Sequence, residues 1–298
     1  NDSFTNHATI RSKRNMASPL AQKAQIADAT IRVSRTHSTA LATRATPLLN
    51  NIHSKLGFTN MLGNFSKDKK TNPYAVDIMP HMQSGTASKY HGSYTLNTLT
   101  VSGKNGASLD NASVWFTTDV KYRSMDALKI TPAMFTTWTR ATLDTKTGKV
   151  TIPDGMGQPV AWAFTSPSLP ANARYDFTLT FTPSDNKAAD AYVNRWTDGD
   201  NKVDAVTQVV ERKVNGVAWF DTNHDGIRQD SDRLLANVTV TLVDGNGRTV
   251  TSVNGKPCTT VTDRNGHYEI GSIPAGSGFK LRFTPKTGIT WHGQHTTV

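Results

Sequence analysis

Residues 221–232 read DTNHDGIRQDSD, a stretch in which oxygen-bearing side chains alternate with other residues around a glycine at the sixth position. Hard cations such as calcium bind about six to eight oxygen atoms at about 2.3 to 2.6 Å, so a loop of this spacing can wrap around one ion. The predicted ligands are Asp221, Asn223, Asp225, the backbone carbonyl of Ile227 and Asp232, with Asp230 and Asp263 as further candidates. Gln229 stands at the position that often binds through water.

The residues on both sides of this loop predict strands rather than helices. VNGVAWF precedes the loop at 214–220, and VTVTL follows it at 238–242. Both segments are rich in the β-branched and aromatic residues that suit a pleated, half-buried surface. The alternative is an ordinary polar turn, because Asp, Asn and Gly are also the residues that turns favour. We predict a calcium site because the ligand pattern continues through all the positions of the loop.

Three further motifs follow the loop in order: VTVTL, then VTDRNGHY at 261–268, then IPAG at 273–276. This order resembles the B-repeat domain of serine-aspartate-repeat surface adhesins of Gram-positive bacteria, within the wider collagen-adhesin B-type family. The resemblance implies a small calcium-stiffened sandwich over 214–298 that serves as a stalk segment. The chain departs from the family pattern at Asp232, where Glu is usual, and at Gln229, where Asp is usual.

The preceding residues predict a second, larger β-sandwich over 37–213. Residues 177–181 alternate apolar and polar side chains with period two, as expected for a strand with one buried face. NPYAVDIMP at 72–80 resembles a strand of the repeated sandwich domains that accompany B-repeats in large surface proteins. Residues 1–36 echo the end of this domain, because Asn6 and Ala29 stand in the same sequence pattern as Asn194 and Ala205. We predict that 1–36 holds the closing strands of a preceding copy or an N-terminal extension; chance similarity is the alternative.

We predict an all-β fold of two tandem immunoglobulin-like or B-type β-sandwiches, and the composition agrees with few or no helices. The chain has only two Glu, Glu211 and Glu269, among its 23 acidic residues, and Glu favours helices whereas Asp favours loops. No run of about 18 apolar residues is present, so we expect no membrane insertion in this segment. The chain also starts without Met or a signal peptide, so we expect a longer precursor. Cys258 is the only cysteine and is expected to be an inert strand residue.

The resemblance also raises a covalent cross-link as a hypothesis. In related pilin and adhesin domains a buried lysine attacks an asparagine side chain with help from a nearby acid. Asn194 matches the acceptor position of the closing strands. No lysine is a convincing partner in an opening strand, and Lys55 is the best available candidate.

A net charge of +10 raises the question of an anionic partner. The lysines and arginines are dispersed, which argues against nucleic acid and favours solvated strand positions or weak attraction to anionic glycans, mucin or teichoic acid. Trp138, Trp162 and Trp196 would stack on sugars if they were exposed, although a core tryptophan is common in a sandwich.

No catalytic motif appears, so we predict that the segment is not an enzyme. His91, Ser93 and His267 are expected to be loop and strand residues rather than members of a triad. The predicted function is a non-catalytic stalk or adhesion segment of a secreted, cell-wall-anchored surface protein. Neighbouring domains and host glycoprotein, mucin or extracellular matrix are the predicted partners. The alternative is that the domain over 37–213 is itself a binding module for host glycan, mucin or matrix protein.

Overall fold

The computed structural model describes residues 39–82, 88–223 and 225–285 in full, and residues 2–9 and 26–33 as backbone strands. The chain divides into two compact units, Asn1–Val210 and Glu211–Val298. Strands dominate both units, so the prediction of an all-β fold with few helices is confirmed. Within the described residues, no helix is long and apolar enough to span a membrane.

The first unit is built from strands β1 to β16. Their bounds are β1 (Asp2–Thr9), β2 (Ile26–Val33), β3 (Thr39–Ala45), β4 (Leu49–Asn51), β5 (Leu56–Asn64), β6 (Lys70–Thr71), β7 (Tyr74–Ile78), β8 (Ser93–Lys104), β9 (Ser113–Thr117), β10 (Thr139–Leu143), β11 (Lys149–Thr151), β12 (Ala161–Thr165), β13 (Ser168–Leu169), β14 (Arg174–Ser184), β15 (Ala191–Thr197) and β16 (Lys202–Val210). Fourteen of them form one sheet in the order β1-β2-β3-β5-β14-β8-β11-β10-β9-β12-β7-β15-β16-β4. Because β2 also pairs with β16 through Ala29 and Ala205, the sheet closes on itself.

The hydrophobic core lies inside this closed sheet. Strand β14 shows why the sequence folds this way: Phe177, Leu179 and Phe181 are buried, whereas Thr178 and Thr180 face outward. The Phe177 ring lies 5.4 Å from the Trp162 ring, and both side chains are fully buried. Burial of each such side chain contributes about 1.5 to 3 kcal/mol, so alternation with period two fixes which face of β14 turns inward.

A second layer covers the outside of β7 and β12. It consists of a short helix α1 (Lys121–Ser124) and two 3₁₀ helices, Ala127–Lys129 and Pro132–Thr137. Tyr122, Phe135 and Trp138 from this layer pack on Ile78 of β7 and Ala163 of β12. Both faces of β7 are therefore removed from water, with Val76 and Ile78 under the covering layer and Ala75 in the core inside the sheet.

The second unit contains seven short strands within its described residues. They are β17 (Val214–Val217), β18 (Trp219–Phe220), β19 (Arg233–Leu234), β20 (Thr239–Val243), β21 (Thr259–Val261), β22 (His267–Ile270) and β23 (Lys280–Thr284). The pairings are β17 with β22, β18 with β19, and β20 with both β21 and β23. Val240, Leu242, Ile270 and Leu281 form its core together with Cys258. Burial raises the pKa of the Cys258 thiol, which agrees with the expected inert role.

Candidate metal centre

The loop predicted to bind calcium joins two paired strands. Trp219 and Phe220 of β18 pair with Leu234 and Arg233 of β19, so the two ends of the loop 221–232 are held side by side. The Arg233 guanidinium lies 5.9 Å from the centre of the Phe220 ring and adds a cation–π contact. The second unit therefore fixes the ends of the loop, and the side chains between them determine its path.

The first and last carboxylates of the loop accept hydrogen bonds from its own backbone. Asp221 Oδ2 accepts the N–H of Gly226 at 2.7 Å. Asp232 is buried, and its two oxygens accept the N–H groups of Thr222 at 3.2 Å and Gln229 at 2.9 Å. These bonds draw the chain around the two carboxylates, which lie at opposite ends of the loop sequence.

The middle of the loop turns at Asp225 and Gly226. Gly226 has a φ of 76°, a conformation that favours glycine. Asp225 Oδ1 accepts the N–H of Ile227 at 2.8 Å, and its Oδ2 accepts the side-chain amide of Asn223 at 2.8 Å. The Ile227 N–H bond is the main reason that the pKa of Asp225 is lowered, because hydrogen bonds to a carboxylate favour its charged form.

One buried oxygen in the loop lacks a hydrogen-bond donor within the described part of the chain. It is Oε1 of Gln229, whose Nε2 donates to Asp225 Oδ2 at 2.5 Å. A buried acceptor without a donor is costly, and a cation or an ordered water would satisfy it. Gln229 stands at the loop position that is expected to bind through water, and its Oε1 is buried.

The two additional candidate ligands have different surroundings. Asp230 is exposed within the loop. Asp263 lies in the turn between β21 and β22, where its Oδ1 accepts the N–H groups of Asn265 at 2.8 Å and His267 at 2.9 Å. These bonds lower the pKa of Asp263, with the His267 N–H as the main cause. The structure therefore shows Asp263 as the cap of its own turn.

The loop provides the oxygen donors that calcium prefers, but their convergence on one point is not seen. Within the described residues, which omit His224, no three His, Cys, Asp or Glu side chains are arranged to hold a metal. The oxygen ligands available in the loop fit a hard cation, as does the buried Gln229 oxygen, which has no hydrogen-bond donor among the described residues. The calcium site and its ligand set stay predictions.

A buried polar cluster in the first unit was not predicted from the sequence. Asp77 of β7 is fully buried, and its Oδ2 accepts the side-chain amides of Asn60 at 2.5 Å and Asn194 at 2.7 Å. Thr43 Oγ1 donates to Asn60 Oδ1 at 2.6 Å and extends the cluster to β3. Burial raises the pKa of Asp77 to about 7, and the hydrogen bonds from Asn194 and Asn60 offset only part of the effect. These partners are neutral, so the cluster can hold a proton on Asp77 near neutral pH.

The residues proposed for a covalent cross-link are in different environments. Asn194 is fully buried beside Asp77, whereas Lys55 is exposed just before β5. The position facing Asn194 across Asp77 is taken by Asn60, whose amide is not a nucleophile. The structure gives no support to Lys55 as the cross-linking lysine.

The three tryptophans considered for sugar stacking are all core residues. Trp162 and Trp196 are fully buried, and Trp138 packs under the 3₁₀ layer next to Tyr122 and Phe135. The expectation of core tryptophans is therefore confirmed, and the alternative of sugar stacking is wrong for these three rings because none offers a free face to a ligand.

Comparison with known proteins places the second unit in a family. Residues 212–297 match the family model of the SdrD B-like domain. Serine-aspartate repeat-containing protein F of Staphylococcus epidermidis is 35% identical over 94 residues, which are 31% of this chain and 5% of that protein. A fibrinogen-binding protein of the same species is 32% identical over 83 residues, 28% of this chain and 7% of that protein. The chain therefore matches only a small part of the length of these relatives.

Solved structures of pilins show more distant likeness. The major pilin subunit BcpA of Bacillus cereus aligns with a TM-score of 0.39 and 10% identity, covering 83% of this chain and 59% of that chain. Domains D2 and D3 of the major pilin SpaD of Corynebacterium diphtheriae align with a TM-score of 0.35 and 12% identity, covering 82% of each chain. Likeness at this level carries no argument about function. The sequence match over 212–297 does identify the family of one segment: the second unit contains a B-repeat domain of the kind found in serine-aspartate-repeat surface adhesins of Gram-positive bacteria.

Proposed function

We propose that this chain is a non-catalytic stalk segment of a bacterial cell-surface adhesin, and that calcium stiffens its second unit. The observation that carries the proposal is the loop 221–232 within a B-repeat domain, with its alternating oxygen-bearing side chains and a buried Gln229 oxygen that has no hydrogen-bond donor in the described part of the chain. The parent protein would be secreted and anchored to the cell wall, where stalk segments hold a binding region away from the surface.

In this proposal Asp221, Asn223, Asp225, Asp232 and the carbonyl of Ile227 hold one calcium ion. The bound ion would supply positive charge between carboxylates that otherwise repel one another. Asp232 is one methylene shorter than the glutamate usual in the family, so its carboxylate has a shorter reach, which favours a weaker site. Because the loop connects β18 to β19, ordering the loop would stabilise the second unit.

We further propose that the parent protein contacts host matrix or glycoprotein. Two relatives of this chain are named as a fibrinogen-binding protein and a bone sialoprotein-binding protein. Those names describe the relatives, and this chain matches 7% and 6% of their lengths. The relatives support a host-facing role for the parent protein, and the stalk proposal assigns this segment the task of spacing.

Thermal melting of the full chain with calcium or with chelator tests the calcium proposal. At a hundredfold excess of calcium over its dissociation constant, the free energy of unfolding should rise by about 2.7 kcal/mol. For a unit of this size the melting temperature should rise by about 10 °C or more. Asp225→Ala should abolish the response.

Asp244→Ala is the matched control. Asp244 is a half-buried aspartate of the second unit outside the loop 221–232, and its Oδ1 caps a turn through the N–H groups of Asn246 and Arg248 at 2.9 Å. This variant should lose some stability and keep the full calcium response. Equal melting temperatures with calcium and with chelator in the native chain would refute the calcium proposal and leave the loop as an ordinary turn.

A second candidate function is binding by the first unit. An exposed aromatic side chain lies among basic residues at one end of the β5–β14–β8 surface, and this favours a ligand-binding role beside the spacing role.

A further inference from the structure

A short loop after β5 presents an exposed aromatic ring on a rigid support. Phe65 is 57% exposed, although large hydrophobic side chains are usually buried. The loop of residues 65–69 also carries Lys67 and Lys69, both exposed. Within the described residues neither lysine takes part in an ion pair, so both charges are available to a ligand.

Asn64 holds this loop in one conformation. Its side chain is fully buried, and Nδ2 donates to the carbonyls of Asp68 at 2.8 Å and Leu169 at 2.9 Å. Oδ1 accepts the N–H of Ser66 at 3.1 Å and the Ser66 hydroxyl at 2.8 Å. A buried amide with this many bonds resists rearrangement, so Phe65 and the two lysines are pre-organised and a ligand loses less entropy on binding.

The Phe65 ring lies directly against the backbone of Gly63. A Cβ atom at Gly63 would come within 2.7 Å of the ring, so only a glycine leaves room for it. Gly63 pairs with Arg174 of β14, and Arg174 pairs with Lys104 of β8. Residues directly opposite each other on neighbouring strands share a face, so Arg174 and Lys104 lie in a row beside the ring. The row spans about 10 Å across the sheet.

We define the basic edge patch as Phe65, Lys67, Lys69, Lys104 and Arg174. Its acidic neighbours are few: Asp68 on the loop, and Asp176, which accepts the Arg174 Nε–H at 3.0 Å. Arg174 and Lys104 are paired on neighbouring strands about 5 Å apart, and Lys67 and Lys69 are separated by one residue in the loop. The Debye length at physiological salt is about 8 Å, so the charges within each pair act together on an anionic ligand. The ring adds an apolar face that a diffuse field of charge lacks.

We propose that the basic edge patch binds a sulfated polysaccharide, with a sugar ring stacked on Phe65 and sulfate groups on Lys67, Lys69 and Lys104. The single exposed ring favours a sugar over single-stranded nucleic acid, because proteins that follow a nucleic-acid strand stack successive bases on several aromatic rings. A polyol phosphate has no ring to stack on Phe65. The inference names the ligand class of the second candidate function and is independent of the calcium proposal.

Binding of a size-defined heparin oligosaccharide to the full chain, measured by calorimetry at about 0.05 and 0.15 M salt, tests the proposal. The native chain should retain binding at the higher salt. Phe65→Ala should weaken binding about threefold to tenfold, and Lys67→Glu with Lys69→Glu at least about tenfold. Gly63→Ala should weaken binding without any change in charge, because the new methyl group displaces the ring.

The opposite end of the same strands provides matched controls. Lys89 precedes β8 and Lys187 follows β14, about 35 Å away along a strand of 11 residues. Lys89→Glu with Lys187→Glu changes the net charge by the same amount as the loop variant. Met82, 58% exposed, matches Phe65 in exposure, so Met82→Ala is the control for loss of an exposed apolar side chain. Both controls should stay within about twofold of the native affinity.

Several results would overturn the proposal. Equal losses in the loop variants and the controls would show that the attraction is diffuse. If desulfated heparin binds as tightly as heparin, the lysines do not recognise sulfate groups. If an oligothymidine of equal charge binds as tightly as heparin, the ligand class is nucleic acid. Absence of heparin binding would also refute it. None of these results changes the calcium response of the second unit, so the two proposals fail separately.

Discussion

Asp77 gives a sharp prediction because a single proton at this site should control the stability of the first unit. The side chain is fully buried, its bonded partners are the amides of Asn60 and Asn194, and burial raises its pKa from 3.8 to about 7. The folded protein therefore keeps a proton on Asp77 at pH values where the unfolded chain has released it. The contribution of Asp77 to the free energy of unfolding is therefore greatest below about pH 4 and falls as the pH rises towards about 7.

The size of the effect follows from the shift in pKa. Each pH unit between the two pKa values changes the free energy of unfolding by about 1.4 kcal/mol, so the loss between pH 4 and pH 7 is on the order of 4 kcal/mol. For a unit of this size it corresponds to a fall of roughly 10 °C in melting temperature. Asp77→Asn removes the titration and keeps a side-chain oxygen that can accept from the two amides. The variant should lose the pH dependence and be more stable than the native chain at pH 8.

Urea unfolding at a series of pH values, followed by the fluorescence of the buried Trp162 and Trp196, measures this directly. Asp110→Asn is the control, because Asp110 is an exposed aspartate of the same unit and its substitution should leave the pH profile unchanged. The reasoning is wrong if native chain and Asp77→Asn lose stability with equal slopes between pH 4 and pH 7. It is also wrong if Asp77→Asn is the less stable protein at pH 8.

Two further predictions concern the second unit and the covalent state of the chain. Gly266 has a φ of 71°, and a Cβ there would meet the Ala218 carbonyl oxygen at 2.4 Å, whereas Gly247, with a φ of 77°, has open space. Both alanine substitutions incur a backbone penalty of about 1 kcal/mol, and only Gly266→Ala adds a clash with the Ala218 carbonyl oxygen. Gly266→Ala should therefore lower the melting temperature of the second unit clearly more than Gly247→Ala. Equal effects would contradict the close approach at Gly266. Asn60 rather than a lysine faces Asn194 across Asp77, so the intact mass of the chain should equal that of the unmodified sequence. A mass lower by one ammonia would show a cross-link that this geometry does not explain.

Strand alternation and turn chemistry were the parts of the fold that the sequence predicted well. Residues 177–181 show the expected pattern within β14, and the predicted strands around the calcium loop correspond to β17, β18 and β20. These predictions depend on local spacing. The loop residues that bond one another, Asp221 with Gly226 and Asp225 with Ile227, also lie close in sequence, which explains why a local motif located the candidate site.

The buried cluster and the basic edge patch depend on contacts between distant strands. Asp77 follows Val76 and precedes Ile78, a pattern that alternation assigns to an exposed position. The 3₁₀ layer from residues 127–137 covers Val76 and Ile78 on the outer face of β7, so these apolar residues face outward and Asp77 points into the core, and no local signal reveals this packing. The patch likewise exists because register places Gly63, Arg174 and Lys104 in one row, although the charges are dispersed along the sequence. Apolar residues on both sides of an Asp were the one available hint of burial.

The internal echo is a case in which register adds to sequence similarity. Asn6 pairs with Ala29 in the β1–β2 hairpin, and Asn194 pairs with Ala205 in the β15–β16 hairpin, so the similar residues are also matched in pairing. Hairpin register is set by the connecting turn and by the residues of the strands. The connections differ in length, residues 10–25 in one hairpin and 198–201 in the other, so the shared register follows from the strands themselves. Assignment of residues 1–36 to a preceding copy stays a prediction, because β2 also pairs with β3 and β16 of the first unit. A repeated sandwich domain would contribute a hairpin with both the sequence pattern and the register of the closing strands. Chance similarity of two Thr-rich and Val-rich strands does not by itself reproduce the register.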